Sequence, residues 1–231
     1  MIVGAVREPP LRASGEIYFV PCSIGDNLPM IYVIRHGECT LNAGQVLRCK
    51  NRASDLTERG REQARLAGLW LADKDITHIY ASPFDRALQT ADTINQTLKL
   101  PAPTVEDGLS ELDCGDALED VTYDEGLERY TSIFFRWLKG DFSARFEGGE
   151  DFHAVYARFS RIINRLDPDE NTLVVTHGGV SRAVIPLLCV NVAALKEVRV
   201  LHNTGFALLA PYDHNSQRFY CDAWDLIEHL S

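Results

Sequence analysis

The sequence predicts an α/β fold with a largely parallel sheet, and two observations carry this prediction. Three apolar runs rich in branched residues, at 31–35, 77–81 and 172–176, have the length and composition of buried strands. Segments with helical periodicity separate these runs, and strands that alternate with helices are typical of a parallel sheet covered by helices.

The first helix is predicted after Thr57, whose hydroxyl is suited to cap a helix N-terminus. Gly60, Ala64, Ala67 and Leu71 follow at helical spacing, so they share one face of this helix. The helix should therefore present one continuous small and apolar face.

The second helix is predicted to begin with Ser82 as N-cap, Pro83 at the first helical position and Asp85 at the third. Its apolar stripe comprises Phe84, Ala87, Leu88, Ala91, Ile94 and Leu98. A third helix is predicted within 152–166, where the amphipathic stripe is the clearest in the chain. That stripe comprises Phe152, Val155, Tyr156, Phe159, Ile162, Ile163 and Leu166.

Two segments fit this alternation poorly. Residues 100–150 are acidic and rich in glycine, and we expect them to form loops and short helices as a cap insertion over one end of the sheet. Residues 1–29 contain two breaks at prolines and a possible strand at 17–20, and they are predicted to be an N-terminal extension. One domain should then occupy residues 30–231.

Composition excludes several classes of function. The net charge is −10 and no block of Lys or Arg is present, so neither nucleic acid nor a membrane surface is an expected partner. The longest apolar run, at 183–195, is interrupted by Pro186 and Asn191 and is too short to span a bilayer. The six cysteines include no C-x-x-C pair, which gives no sign of a zinc site. We expect a reduced, cytoplasmic protein that is a monomer or a homodimer.

The candidate chemistry lies where three predicted strands end. The polar segments that follow these strands are RHGE (35–38), SPFDR (82–86) and THGG (176–179). Ligands of open parallel sheets bind beyond the carboxyl ends of the strands. We therefore expect Arg35, His36, Arg86 and His177 to converge on one crevice.

These residue types indicate phosphate chemistry. Arginine offers a planar fork of donors that fits phosphate oxygens, and a neutral imidazole is a competent nucleophile. Gly178 opens a predicted helix, whose first N–H groups favour an anion, and Asn42 could add a neutral donor. Neither a Walker-type glycine loop nor a cage of carboxylates accompanies them, so we expect no metal and no organic cofactor.

Seven segments together resemble the histidine phosphatase superfamily, which includes cofactor-dependent phosphoglycerate mutases and α-ribazole phosphatase-like enzymes. They are RHGECTLN (35–42), LTERGREQA (56–64), YASPFDRALQTA (80–91), LSELDCGD (109–116), GGED (148–151), VVTHGGVSR (174–182) and NTGFALL (203–209). The resemblance covers residues 30–210. It implies a three-layer α/β/α sandwich with a mostly parallel central sheet and a loop and helix cap over the strand carboxyl ends.

The resemblance also implies roles for individual residues. It makes His36 the nucleophile that carries the phosphoryl group. It places around that group the side chains of Arg35, Asn42, Arg86 and His177. The implied reaction is hydrolysis of a phosphomonoester of a small metabolite through a phosphohistidine, with no metal.

Glu111 falls where this family places its proton donor, and the same carboxyl would then activate water. An alkoxide leaving group needs such an acid, and a carboxyl in a partly closed site can alternate between acid and base. Four nearby carboxylates remain rivals on the sequence alone. They are Glu106, Asp107, Asp113 and Asp116.

Two other functions stay open. A phosphoglycerate mutase-type phosphotransferase would need cations for a second anionic group, yet residues 100–128 contain no Lys or Arg and ten Asp or Glu. Cations could then come only from elsewhere, with Lys50, Arg52 and Arg136 as the possible sources. The other alternative is an inactive family member that acts as a binding module. Departures from the family pattern, at Asp55 and at LED (118–120), leave the identity of the substrate open.

Overall fold

A seven-stranded sheet forms the centre of the protein. The computed structural model describes residues 18–19, 28–47, 49, 53–191, 199–213 and 218–230. The strands are β1 (Tyr18–Phe19), β2 (Ile31–Arg35), β3 (Val46–Leu47), β4 (Ile76–Ala81), β5 (Thr104–Val105), β6 (Val121–Thr122), β7 (Asn171–Thr176), β8 (Phe206–Asp213) and β9 (Arg218–Leu226). The three strands predicted from the apolar runs are thus confirmed.

The order of the main sheet is β1-β9-β8-β2-β7-β4-β5, and β3 pairs with β6 in a separate two-stranded sheet. Strands β2, β7, β4 and β5 pair in parallel, while β8 pairs antiparallel with both β2 and β9. Strand β9 is antiparallel to β8 and therefore has the same direction as β2. Five of the seven strands, β2, β4, β5, β7 and β9, thus point the same way. The mostly parallel sheet is therefore confirmed, although the β8–β9 hairpin was not predicted.

Helices cover both faces of this sheet. The helices are α1 (Thr40–Ala43), α2 (Glu58–Leu71), α3 (Asp85–Leu98), α4 (Tyr123–Leu138), α5 (Phe152–Ile163) and α6 (Gly178–Leu188). Successive residues of a strand point to opposite faces, so Val33 packs with α5 and α6 whereas Tyr32 and Ile34 pack with α2 and α3. The two apolar clusters make the three-layer α/β/α sandwich.

The N-terminal residues of α2 and α3 can be compared with the predicted N-caps. Thr57 caps α2, because its Oγ1 accepts the N–H of Gly60 at 3.0 Å. The predicted start of the second helix is wrong: Phe84 is the N-cap of α3 and the helix begins at Asp85. Ser82 Oγ does accept the N–H of Phe84 at 3.4 Å, but Ala87 and Leu88 both donate their N–H groups to the carbonyl oxygen of Phe84, so the helix begins two residues later than predicted.

The segment at 100–150 contains a longer helix than predicted. Its glycines and acidic residues led us to expect short helices, but α4 has 16 residues. A reciprocal capping box between Thr122 and Glu125 begins this helix, and Phe134 and Trp137 bury one of its faces in the core. Strand β5 of this segment joins the main sheet beside β4.

The N-terminal region contributes the edge strand β1. Tyr18 pairs with Trp224, and Phe19 pairs with Ala223. The predicted strand at 17–20 thus appears in its two central residues, while Ile17 and Val20 lie outside the described residues. Within the part of the chain that the structure describes, no helix combines the length and the apolar character that a membrane crossing needs.

Candidate active site

The carboxyl ends of β2, β4 and β7 meet at one edge of the sheet, where the parallel register aligns them. Backbone hydrogen bonds continue past the strands: His36 N–H donates to Thr176 O at 2.9 Å, and Ser82 N–H donates to Val175 O at 3.0 Å. The segments after these strands are therefore fixed to the sheet. They bring together Arg35, His36, Arg86 and His177, which we call the strand-end cluster.

His36 has a defined tautomer. Its Nδ1 lies 2.8 Å from the carbonyl oxygen of Gly37, a group that can only accept, so Nδ1 carries the proton. Its Nε2 accepts a hydrogen bond from Arg86 Nε at 3.3 Å. Burial, followed by the charges of Arg86 and Arg35, lowers the pKa of His36 well below its ordinary value. The imidazole is therefore neutral and keeps a lone pair on Nε2.

His177 is oriented by a serine. Ser82 Oγ lies 2.7 Å from His177 Nε2 and also accepts the N–H of Phe84 at 3.4 Å. This contact orients the imidazole ring and leaves Nδ1 without a partner among the described residues. Burial is the main reason that the pKa of His177 lies well below its ordinary value, with a further contribution from Arg86.

Three nitrogen atoms of the strand-end cluster are buried without a hydrogen-bond partner among the described residues. They are Arg35 Nε, Arg86 Nη1 and His177 Nδ1. Leaving a buried donor unpaired costs about 1–3 kcal/mol, so groups of such donors usually mark a place where a ligand binds. Such nitrogen atoms, together with the neutral imidazole of His36, have the chemistry that a tetrahedral anion requires.

Glycines allow the backbone to pass close to this site. A Cβ on Gly37 would lie 2.5 Å from the carbonyl oxygen of Gly60, at the start of α2. The N–H of Gly37 donates to Thr90 Oγ1 at 3.0 Å, which ties the loop to α3 as well. This contact between loop and helix explains why the RHG and LTERG segments occur together.

Glu111 lies at the N-terminus of α6. Its Oε2 accepts the N–H of Gly179 at 3.1 Å, and its Oε1 accepts the N–H of Val180 at 2.8 Å. We expected the first N–H groups of α6 to bind an anionic ligand. In the structure, two of them instead donate hydrogen bonds to the Glu111 carboxylate. Gly178 itself packs against the side chain of Arg35.

Of the five candidate carboxylates, Glu111 is the one that lines the pocket in front of the strand-end cluster. Glu106 pairs with Arg165, and Asp113 Oδ1 accepts the N–H of Gly115 at 2.9 Å. The position of Glu111 therefore separates it from its rivals.

Asn42 lines the same pocket from α1. Its Oδ1 accepts hydrogen bonds from Asn203 Nδ2 at 3.1 Å and from the N–H of Cys39 at 3.3 Å. Asn203 Nδ2 also donates to the carbonyl oxygen of His36 at 3.0 Å. Asn203 thus orients Asn42, and within the described parts of the chain both amide N–H bonds of Asn42 remain for other acceptors.

The pocket has a volume of about 290 Å³. Arg35, His36 and Arg86 form its floor, with His177 buried behind them, and its sides come from the loop around α1, from α4 and from the start of α6. Across the described parts of the chain, no group of three or more His, Cys, Asp or Glu side chains is placed to hold a metal ion.

Comparison with known protein families assigns this chain to one of them. The family model of the histidine phosphatase superfamily (branch 1) matches residues 31–224. The chain belongs to this superfamily. The resemblance read from the sequence motifs is therefore confirmed.

Among curated relatives, this histidine phosphatase is 32% identical over 133 residues to phosphoserine phosphatase 1 of Hydrogenobacter thermophilus, covering 56% of this chain and 62% of that protein. It is 29% identical over 160 residues to human 6-phosphofructo-2-kinase/fructose-2,6-bisphosphatase 4, covering 67% of this chain and 32% of that protein. The chain therefore spans less than two thirds of the length of either relative.

A solved structure shares the fold over most of the chain. The mycobacterial glucosyl-3-phosphoglycerate phosphatase, in complex with VO3, superposes with a TM-score of 0.72 at 25% identity. The alignment covers 85% of this chain and 98% of that one.

Sequence reasoning missed two residues of this histidine phosphatase site. Ser82 carried a helix-start signal, and that interpretation hid its contact with His177. Asn203 lies in the NTGFALL segment, but the sequence assigned it no role. Its contact with Asn42 joins positions that are 161 residues apart. No periodic or spacing signal links such distant positions.

Proposed function

We propose that this protein is a metal-independent phosphomonoesterase that acts through a phosphohistidine on His36. One observation carries the proposal. The cluster keeps three buried nitrogen atoms without a hydrogen-bond partner among the described residues, and neutral His36 presents an Nε2 lone pair whose hydrogen bond from Arg86 is 3.3 Å long. Donors preorganised in this way stabilise charge that develops on a transferring phosphoryl group.

The proposed reaction has two steps. His36 Nε2 attacks phosphorus, so that a P–N bond forms while the ester P–O bond breaks and Glu111 gives a proton to the leaving oxygen. Water then attacks the phosphohistidine, Glu111 takes a proton from it, and the P–N bond breaks to release inorganic phosphate. Splitting the displacement in this way replaces one high barrier with two lower ones.

The remaining site residues are proposed to hold the phosphoryl oxygens. Arg35 and Arg86 would donate from the floor of the pocket, His177 from behind it, and Asn42 from its side. The backbone of Gly178 would allow close approach of the ligand, since this residue carries no Cβ. Arg86 Nε now donates to His36 Nε2, so substrate must redirect this donor to an oxygen.

The proposed substrate is a small metabolite with one phosphate on a neutral or weakly charged body. Ten acidic side chains between 106 and 128, with no Lys or Arg in 100–128, disfavour a second anionic group. Of the three possible sources of cations, Arg136 pairs with Asp141 at 2.7 Å, while Lys50 and Arg52 lie outside the described residues. Relatives named as phosphoserine and glucosyl-3-phosphoglycerate phosphatases support hydrolysis of a metabolite.

A screen of phosphorylated metabolites, read out as release of inorganic phosphate, tests this proposal. The mutase alternative is tested with 3-phosphoglycerate, with and without 2,3-bisphosphoglycerate as primer. Isomerisation faster than phosphate release would replace the phosphatase with a mutase. Turnover of p-nitrophenyl phosphate in the presence of EDTA separates the enzyme from an inactive binding module and tests whether a metal is needed.

We also propose a cytoplasmic location, a monomeric or homodimeric state, and the division into an extension at 1–29 and a catalytic domain at 30–231. All site residues follow Met30 in the sequence. A chain that starts at Met30 should keep phosphatase activity, although it loses the edge strand β1. A soluble, folded chain of this kind without activity would contradict the division.

A further inference from the structure

The pocket in front of the strand-end cluster has an apolar side that the proposed phosphoryl chemistry does not use. Its residues, which we call the apolar wall, are Leu41, Val46, Leu47, Tyr123, Leu127, Tyr130 and Val200. The charged side chains among the described lining residues are Arg35, Arg86 and Glu111, and all three belong to the proposed chemistry. Among the described residues, the wall is therefore the surface against which a phosphate ester bound to the cluster can place its organic part.

Helix α4 supplies the centre of the apolar wall. Tyr123, Leu127 and Tyr130 are spaced at four and three residues, so they lie on one face of the helix and point into the pocket. Phe134 and Trp137 continue the same face toward the C-terminal end of α4, where it packs into the core. Leu127 is 48% exposed, which is unfavourable for a leucine until apolar ligand surface covers it.

The opposite side of the wall is held firmly against α4. Val46 and Leu47 pair with Thr122 and Val121 in the short β3–β6 ladder. A Cβ on Gly126 would lie 2.6 Å from Leu47 Cδ1, which shows how closely the helix and the loop pack. The wall is thus formed before substrate arrives, and a preformed apolar surface favours a ligand part of matching character.

We infer that the substrate is a phosphate monoester of an apolar alcohol, alkyl or aromatic, whose body lies on the apolar wall. The inference rests on the proposed phosphatase function and adds the class of the organic part. Leu127 is its main specificity-determining residue, because it offers the most exposed apolar surface on α4 toward the pocket.

A series of alkyl phosphates tests this inference, since ethyl, butyl and hexyl phosphate have nearly the same leaving group and differ in apolar surface. Each methylene buried on the wall can raise kcat/KM up to about fourfold. We expect hexyl phosphate to exceed ethyl phosphate by at least about tenfold. Leu127→Asn should reduce this ratio severalfold. Leu69→Asn, on a leucine of α2 that is 52% exposed and lies outside the pocket lining, should leave it unchanged.

Equal kcat/KM for the three alkyl phosphates would overturn the inference, and so would a preference for phosphoserine or 3-phosphoglycerate over hexyl phosphate. In both outcomes phosphate is still released, so the proposed phosphatase function would stand. The absence of phosphate release from every ester, p-nitrophenyl phosphate included, would instead refute the function itself.

A second inference comes from a pair of cysteines beside the pocket. Cys49 Sγ and Cys114 Sγ are 2.8 Å apart, although the residues are 65 positions apart in sequence. A disulfide bond is about 2.05 Å long, so the sulfurs need to approach by less than about 1 Å. Cys49 lines the pocket, while Cys114 lies just behind it in the segment that carries Glu111.

The geometry points to a reversible disulfide between Cys49 and Cys114, formed by hydrogen peroxide that enters the pocket. The Cys49 sulfur attacks peroxide, the O–O bond breaks, and a sulfenic acid and water result. The Cys114 sulfur then attacks the sulfenic sulfur, an S–S bond forms and a second water leaves. Two thiols are oxidised and one peroxide is reduced. Burial raises the pKa of Cys114, which fits its place as the second, resolving thiol.

Peptide mass spectrometry after peroxide treatment and thiol alkylation tests this pair. We expect a cross-link between the peptides of Cys49 and Cys114 that dithiothreitol removes. Cys189 and Cys221 are fully buried away from the pocket and should remain reduced. In Cys114→Ser, the sulfenic acid on Cys49 has no resolving thiol and should react with dimedone. Recovery of both thiols unchanged, or equal dimedone labelling of Cys49 with and without Cys114, would overturn the proposal.

Discussion

The strand-end cluster and the apolar wall face the same pocket, but the protein builds them differently. His36 and Arg86 are each 3% exposed and follow interior strands of a seven-stranded sheet. Leu127, in contrast, is 48% exposed on a helix that is joined to its neighbouring loop by a ladder of two residue pairs. The buried cluster is thus suited to fix the reaction, and the exposed wall is suited to select the organic part of the substrate.

Because the strand-end cluster is buried and the apolar wall is exposed, we expect the largest loss of activity from a change in the strand-end cluster. Arg86→Ala should lower kcat by roughly 10²- to 10³-fold, the scale for removing one preorganised charge-stabilising donor. Arg65→Ala, on an exposed arginine of α2 that pairs with Glu62, is the matched control and should have no effect. Steady-state kinetics with p-nitrophenyl phosphate measure both. A loss below tenfold would remove Arg86 from the proposed phosphoryl site.

Glu111 lies between the two regions, and its variant should give an effect that depends on the leaving group. Glu111→Gln should lower kcat/KM for alkyl phosphates by about 100-fold, because the leaving alkoxide needs a proton. The loss should be much smaller for p-nitrophenyl phosphate, whose leaving group is stable as an anion. Glu128→Gln, on the exposed part of α4, serves as the control. Equal losses for alkyl and aryl esters would assign the acid role to another residue.

The sequence predicted the strand-end cluster more completely than the wall, and the reason is physical. The carboxyl ends of parallel strands lie at one edge of a sheet. The proximity of the RHGE, SPFDR and THGG segments could therefore be predicted from the strands alone, with no long-range contact as input. The wall depends on which face of α4 turns toward the pocket, and that face is set by contacts such as Gly126 with Leu47. The β8–β9 hairpin and the length of α4 were missed for the same reason, because tertiary packing decides both.

The role of Ser82 offers a finer test of the cluster. Ser82→Ala removes the hydrogen bond to His177 Nε2, and kcat/KM should fall roughly tenfold, as for the loss of one good hydrogen bond. Ser132→Ala, an exposed serine of α4 whose hydroxyl donates to Arg129 O at 2.9 Å, is the control. Nitrogen-15 NMR should show a mixture of His177 tautomers in Ser82→Ala. An unchanged tautomer would limit Ser82 to a packing role.

The smallest expected effect is that His36 does not become protonated when the pH falls slightly below 6.5. Burial and the neighbouring arginines lower the pKa of His36 well below 6.5, so protonation begins only at lower pH than for an ordinary histidine. His36 should remain neutral at pH 5.5. Nitrogen-15 NMR of its ring distinguishes the neutral from the protonated state. Protonation of His36 near pH 6.5 would mean that the cluster does not hold a neutral nucleophile.

Trapping the phosphoenzyme tests the central claim most directly. The protein is mixed with a 32P-labelled phosphate ester, quenched in alkaline detergent and digested for peptide mapping. The account predicts a label on the peptide of His36 that survives base and is lost in acid, because the bond joins phosphorus to imidazole nitrogen. His153→Ala should keep this label and His36→Ala should lose it. A label that survives acid but is lost in base, or one that persists in His36→Ala, would contradict the account.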